Sequence, residues 1–109
     1  MTLTEYQRLA SRTINKKNTN SQNEYHAIFG MCSEVGELQG LYQKKYQGHI
    51  FDKHHAMSEV SDLLWFIAEW CTANKINLDV AKYNIEKLIK RYPQGFEVER
   101  SLHREKGDI

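Results

Sequence analysis

The stretch from residue 53 to residue 74 constrains the fold most strongly, because its apolar side chains recur at helical spacing. Its main apolar face consists of Ala56, Met57, Val60, Leu63, Leu64, Ile67, Ala68 and Cys71. Three aromatic residues, Trp65, Phe66 and Trp70, extend this face almost all round the helix. A helix that is apolar on most sides is buried on most sides. The sequence therefore predicts a central helix that other helices cover.

Three other segments also carry apolar residues at helical spacing, at roughly 5–14, 23–46 and 78–91. The four segments begin with residue types that cap helices. The predicted start signals are the Thr4–Gln7 and Ser21–Glu24 capping boxes and the Asp52 and Asn77 caps. One proline and six glycines are too few for the many turns of an all-β fold. The sequence therefore predicts an all-α four-helix bundle.

The length of 109 residues predicts a single domain over residues 1–109. Its expected core spans about 24–96, after an N-terminal helix over about 5–14 and before a short charged tail. The central helix needs more cover than three short apolar stripes from one chain supply. We therefore expect a homodimer or homotetramer in which helices from separate subunits complete the bundle.

Charge and hydropathy exclude several classes of partner. The formal net charge is +1, so no global field attracts a nucleic-acid polymer or an anionic membrane. The longest apolar run, over residues 63–68, is far shorter than the roughly 20 residues of a membrane span. Residues 1–5 lack the pattern of an export signal, so a cytoplasmic protein is expected. There Cys32 and Cys71 are expected to be reduced and buried.

Two acidic pairs are the most informative feature for chemistry. Glu34 and Glu37 form E-x-x-E, and Glu59 and Asp62 form E-x-x-D. At a spacing of three, the members of each pair share a helix face. Two carboxylates about 5 Å apart at an effective dielectric near 20 repel by about 3 kcal/mol. Such a cluster raises its pKa values or binds cations, and hard oxygen ligands suit Mg²⁺ or Mn²⁺. A solvated helix surface is the alternative interpretation.

Histidines do not add to a recognisable metal motif. A di-iron bundle needs Glu-x-x-His, but positions 37 and 62 are both acidic. No H-E-x-x-H is present either. The expected surface histidines are His26, His49, His54, His55 and His103.

The fourth segment has a basic face. Asn84, Lys87 and Arg91 stand at i, i+3 and i+7 and therefore share one side of the predicted helix. Lysine and arginine beside a carboxylate–metal site suit a polyphosphate. Basic residues are also favoured near a helix C-terminus, so a solvated face is the alternative.

Four stretches of this chain resemble the MazG-like nucleotide pyrophosphohydrolases of the all-α NTP pyrophosphatase superfamily. They are SEVGEL at 33–38, SEVSDLLWF at 58–66, NIEKL at 84–88 and KRYP at 90–93. The resemblance covers roughly residues 27–96. Many members of the family read E-L-G-D where this chain has Glu59-Val60-Ser61-Asp62, and Ser61 lacks the glycine that permits close helix approach.

The resemblance implies a reaction and roles for these residues. Family members split a nucleoside triphosphate into a monophosphate and pyrophosphate, often to remove non-canonical or surplus nucleotides, and they pair or tetramerise. Glu34, Glu37, Glu59 and Asp62 would hold Mg²⁺, with Glu34 or Glu37 as the catalytic base. Asn84, Lys87 and Arg91 would contact the substrate. A related enzyme for dUTP, dCTP or phosphoribosyl-ATP, and a helical module that binds nucleotides without cleaving them, are the alternatives.

Overall fold

The computed structural model describes residues 1–109 and is all-helical, without strands. The chain divides into two compact units, Met1–Leu78 and Asp79–Ile109. The first unit contains α1 (Leu3–Ala10), a 3₁₀ turn (Ser11–Thr13), α2 (Asn20–Tyr46) and α3 (Lys53–Ala73). The second contains α4 (Val80–Arg91) and α5 (Val98–Leu102). The predicted all-α class is confirmed, and no helix is long and apolar enough to cross a membrane.

Both capping boxes at the start of the first unit were predicted at the wrong residues. At α1 the box is Thr2 with Glu5, because Gln7 is used elsewhere. The Gln7 amide donates to the Ile76 carbonyl at 2.9 Å and to the Thr72 hydroxyl at 3.1 Å. Tertiary hydrogen bonds therefore compete with the local cap for the same side chain.

At α2 the capping box is Thr19 with Gln22, and not Ser21 with Glu24. The helix therefore begins at Asn20. This earlier start places Asn23 inside the first helical turn, where its side chain is buried. The Asn23 side chain accepts a hydrogen bond from the Asn18 amide at 3.2 Å, which ties the preceding loop to the helix.

The predicted cap of α3 is confirmed, whereas that of α4 is wrong. The Asp52 carboxylate accepts from the His55 N–H at 3.0 Å. At α4 the N-cap is Asp79 rather than Asn77, and Leu78 does not belong to the helix. Leu78 is instead buried in the core of the first unit, and its N–H donates to the Gln7 side chain at 2.8 Å. The segment predicted as a charged tail contains the short helix α5.

The core of the first unit is small. Its fully buried members are Ala10, Ala68, Cys71 and Leu78, and its partly buried members are Tyr6, Trp65, Ile67 and Trp70. As expected from the sequence, the single chain does not cover α3 on all sides, because Met57 and Val60 are 60% and 50% exposed. Within the first unit, α1, the 3₁₀ turn and α2 pack against α3.

A close approach of α2 and α3 depends on one glycine. A Cβ atom built at Gly30 would overlap the ring of Phe66 on α3. The glycine therefore lets the aromatic ring lie directly on the backbone of α2. This contact, together with the His26–Glu69 pair nearer the start of α2, sets an antiparallel register between the two helices.

Candidate metal centre

The register of α2 and α3 brings the two acidic pairs together. His26 faces Glu69, and Gly30 faces Phe66, so α2 and α3 run antiparallel. We call the line of contact between the two helices, which these pairs mark, the α2–α3 seam. Four residues further along α2 and seven residues back along α3, Glu34 meets Glu59. The acids that are twenty-five residues apart in sequence are thus neighbours in the folded first unit.

Three of the predicted acids form a tight cluster. Glu34, Glu59 and Asp62 each offer a carboxylate oxygen, and these oxygens all lie within 4.8 Å of one another. Glu59 is buried, Glu34 is partly buried and Asp62 is exposed. Glu37 is exposed on α2 and shares a hydrogen bond with Glu59. The structure therefore assembles all four predicted carboxylates at one end of the α2–α3 seam, and we call them the acid cluster.

Crowding of like charges perturbs the acid cluster. The pKa of Glu34 is raised from 4.5 to about 7, first by its hydrogen bond to Glu59, then by burial and by the neighbouring carboxylates. The pKa of Glu37 is also raised, chiefly by hydrogen bonding and charge repulsion with Glu59. The same hydrogen bonds lower the pKa of Glu59, which acts as their acceptor. The raised pKa of Glu34 favours its protonated form, which relieves the crowding of negative charge.

One oxygen of the acid cluster has no partner. Glu34 Oε2 is buried without a hydrogen bond, which is costly for a carboxylate oxygen. His55 is half-exposed and bonds a different acid, with its Nε2 3.0 Å from Glu59 Oε1. A donor set of carboxylate oxygens with one buried unsatisfied atom fits a hard divalent cation such as Mg²⁺ or Mn²⁺.

The predicted substrate-binding residues lie on α4, in the second unit. Asn84 is exposed, and the Lys87 ammonium lies 5.9 Å from the centre of the Tyr83 ring. Arg91 is nearly buried and forms an ion pair with Asp108, with 2.7 Å between Arg91 Nε and Asp108 Oδ2. This pairing lowers the pKa of the Asp108 carboxyl. The guanidinium of Arg91 is therefore already presented to an oxyanion.

The sequence interpretation missed the partner of one histidine. His26 was expected on the surface, and its side chain is 56% exposed. Its Nδ1, however, lies 2.7 Å from an oxygen of Glu69, whose side chain is only 1% exposed. A signal was present, because Glu69 stands seven residues after Asp62 within the most apolar segment of the chain. That spacing places it on the same helix face as the acid cluster.

The two cysteines differ from each other. Cys71 is buried as predicted, and burial raises the pKa of its thiol. The prediction for Cys32 is wrong, because this residue is exposed. Cys32 lies on a side of α2 that no other helix of its unit covers, since Phe29 and Val35 nearby are 68% and 50% exposed. Both cysteines are free thiols.

Comparisons with protein-family models, with curated proteins and with solved structures find no match for this chain. A function therefore has to be inferred from the residues of the chain and their geometry. The acid cluster is the strongest starting point, because it combines crowded carboxylates with a buried oxygen that has no hydrogen-bond partner.

Proposed function

We propose that this chain is a Mg²⁺-dependent nucleoside triphosphate pyrophosphohydrolase with a MazG-like helical bundle. The reaction is the hydrolysis of a ribo- or deoxyribonucleoside triphosphate to the monophosphate and pyrophosphate, in the control or cleansing of a cytoplasmic nucleotide pool. The observation that carries the proposal is the acid cluster, in which Glu34 Oε2 is buried without a partner. The resemblance of the motifs around these acids to MazG-like enzymes, in order and spacing, also supports it.

The cation would be held by Glu34, Glu59 and Asp62, with Glu37 at the edge of the cluster. A bound Mg²⁺, or Mn²⁺ in its place, neutralises charge on the triphosphate and acidifies a bound water. Each member of the donor set is a carboxylate, so the site disfavours soft metals. Replacing one of these acids with its amide removes an anionic ligand and keeps nearly the same side-chain shape.

The chain itself supplies a base for the hydrolysis. A water oxygen attacks the α-phosphorus, the bond from that phosphorus to the bridging oxygen breaks, and pyrophosphate leaves with that oxygen. Glu34 or Glu37 accepts the proton from the water. Without metal the pKa of Glu34 is raised to about 7, and a bound cation would lower it again, so that Glu34 would be ionised and able to accept this proton.

Asn84, Lys87 and Arg91 are the proposed contacts for the triphosphate. The paired N–H groups of Arg91 hold the Asp108 carboxylate on both oxygens, and phosphate oxygens are recognised with the same fork geometry. A substrate phosphate would therefore replace Asp108 on Arg91. Lys87 adds a point charge that also acts on Asp108.

A homodimer or homotetramer is the proposed assembly. The first unit leaves large apolar side chains exposed on both helices of the seam. On α2 these are Tyr25 and Phe29, at 64% and 68%, and on α3 they are Met57 and Val60, at 60% and 50%. Exposed apolar residues in such numbers on two adjacent helices favour burial against a second copy.

Pyrophosphate release from a panel of nucleotides tests the proposed activity. The panel contains the common ribo- and deoxyribonucleoside triphosphates, dUTP, ITP and phosphoribosyl-ATP, with Mg²⁺ or with EDTA. We expect release of pyrophosphate with a monophosphate, and EDTA should abolish it. Removing a residue that only supports a metal ligand commonly costs about 10–100-fold, so Glu59→Gln should cost at least about a hundredfold.

The matched control is Glu24→Gln, the same substitution on α2 at a position outside the acid cluster. Its turnover should equal that of the wild-type protein. Folded wild-type protein that binds nucleotides but releases no pyrophosphate would instead support the non-catalytic alternative. Full turnover by Glu59→Gln would contradict the assignment of the acid cluster.

A further inference from the structure

A second polar group lies on the α2–α3 seam, away from the acid cluster. The carboxylate of Glu69 is almost completely buried, and its two oxygens lie 2.7 and 2.9 Å from Nδ1 of His26. An ionised carboxylate only accepts hydrogen bonds, so Nδ1 is the donor and the orientation of the ring is set. Burying a carboxylate for a single partner is costly. This cost calls for a reason other than stability.

The free edge of His26 is available to a ligand. More than half of the side chain is exposed although Nδ1 is held against Glu69. The exposed part of the ring, including Nε2, therefore lies on the side away from the carboxylate. A histidine held in this way by a buried acid presents one defined hydrogen-bonding atom, as histidines oriented by carboxylates do in metal and catalytic sites.

Two aromatic side chains confine the imidazole further. The ring centres of Phe66 and Trp65 lie 5.5 and 6.4 Å from that of His26. Trp65 is itself tied down, because its indole N–H donates to the Thr13 hydroxyl at 2.9 Å. His26 Nε2 is therefore a polar atom held in place beside an aromatic surface. This combination suits a flat heterocycle with polar edges.

The spacing along the helices relates this group to the acid cluster. Asp62 and Glu69 are seven residues apart on one face of α3, which corresponds to about 10 Å along the helix axis. That is comparable to the span from a metal-bound phosphate across a sugar to its base. A nucleotide whose phosphates lie at the acid cluster and whose sugar passes over the outside of the Gly30–Phe66 contact would bring its base to His26.

The opposite end of the seam offers a less specific alternative. There the ring centres of Tyr42 and Phe51 lie 4.9 Å apart in a tilted arrangement, and the Lys45 ammonium lies 4.9 Å from the centre of the Phe51 ring. Ring faces and a flexible cation accept any base. Discrimination between bases needs a fixed polar group, and the His26 end provides one whose buried partner, Glu69, lies outside the acid cluster.

We propose that His26, oriented by Glu69, is a specificity-determining residue that contacts the nucleobase of the substrate through Nε2. This inference rests on the proposed function and names the part of the substrate that the chain reads. It predicts that His26 distinguishes bases that differ only by an amino or an oxo group, as in the pairs ATP with ITP and CTP with UTP.

The experiment compares kcat/KM for these four nucleotides and for an alkyl triphosphate that lacks sugar and base. The test variant is His26→Gln, because a glutamine amide can still donate to Glu69 and so protects the fold. We expect at least about a tenfold preference within one pair for the wild-type protein, and its loss in His26→Gln. Turnover of the alkyl triphosphate should stay unchanged. The matched control is His49→Gln, an exposed histidine in the loop between α2 and α3.

The outcomes separate this inference from the proposed function. If His26→Gln lowered kcat/KM equally for the nucleotides and for the alkyl triphosphate, His26 would act on folding or on phosphate chemistry, and the inference would be wrong. An unchanged base preference in His26→Gln would move base recognition elsewhere, with Tyr42 and Phe51 the next candidates. If the wild-type protein turned over none of these substrates, the proposed function and this inference would fail together.

A structural readout does not depend on turnover. The ring resonances of His26 should shift when Mg²⁺ and an α,β-methylene nucleoside triphosphate bind, and should not shift with Mg²⁺ and tripolyphosphate. The double variant His26→Ala/Glu69→Leu removes both members of the pair without leaving a buried carboxylate alone. It should lose base preference as His26→Gln does, and retention of the preference would overturn the inference.

Discussion

The α2–α3 seam carries two groups of carboxylates that solve the same problem differently. Near the start of α2, the buried Glu69 receives its hydrogen bond from His26 within the chain. The acid cluster begins at Glu34, four residues after Gly30 on α2. It has too few hydrogen-bond donors, so the pKa of Glu34 is raised and Glu34 Oε2 has no partner. The comparison shows that the two groups differ in whether the chain supplies hydrogen-bond donors to their carboxylates. A carboxylate that the chain satisfies holds another residue in place, whereas carboxylates that it leaves unsatisfied are suited to bind a cation.

The largest effect on both groups is expected from Gly30→Ala. The new methyl group would overlap the Phe66 ring, which lies between the two groups, and would push α2 and α3 apart. We expect a loss of about 3 kcal/mol in the free energy of unfolding, measured by urea denaturation. Mg²⁺-dependent turnover should fall as well. The control is Gly36→Ala, on the same helix, where an added Cβ meets no atom within 4 Å. Equal stabilities of the two variants would mean that the helices do not approach closely at Gly30.

Loss of one member should change the stability of the protein in opposite directions for the two groups. His26→Ala leaves the buried Glu69 carboxylate without its donor and should cost about 2 kcal/mol. Glu34→Gln removes a charge from the crowded acid cluster, so without metal at pH 8 it should raise the melting temperature while abolishing turnover. Melting curves in EDTA check both signs. Destabilisation by Glu34→Gln of the metal-free protein would show that the acid cluster is not electrostatically strained.

The sequence predicts the features of the fold and the site that depend on neighbouring residues, and it misses those that depend on tertiary contacts. The existence of the helices, the Asp52 cap and the shared face of each acidic pair follow from local spacing, which neighbouring helices do not alter. The errors at Gln7 and Leu78 share one cause, since both residues are recruited by the core of the first unit. No local pattern shows such a recruitment. The pairing of His26 with Glu69 depends on the register of two helices, which becomes known only when the seam is assembled.

The smallest expected effect is a pH dependence of stability that differs between the two groups. The pKa of Glu34 is raised in the folded protein, so the protonated form is favoured by folding. Its contribution is fully present below the ordinary value of 4.5 and is lost as the pH rises through about 7. The metal-free protein should therefore melt at a lower temperature at pH 8 than at pH 5.5. Glu34→Gln should weaken this trend, whereas Glu24→Gln should keep it, and an identical trend in both variants would place its origin outside the acid cluster.

Calorimetric titration of the metal-free protein with Mg²⁺ tests the central claim most directly. At pH 7, near the pKa of Glu34, binding must displace protons from the acid cluster. We expect Mg²⁺ binding whose apparent heat depends on the ionisation enthalpy of the buffer. Glu59→Gln should lose that binding, whereas Glu24→Gln should keep it. Mg²⁺ binding that is equal in both variants, or no binding by the folded wild-type protein, would contradict it.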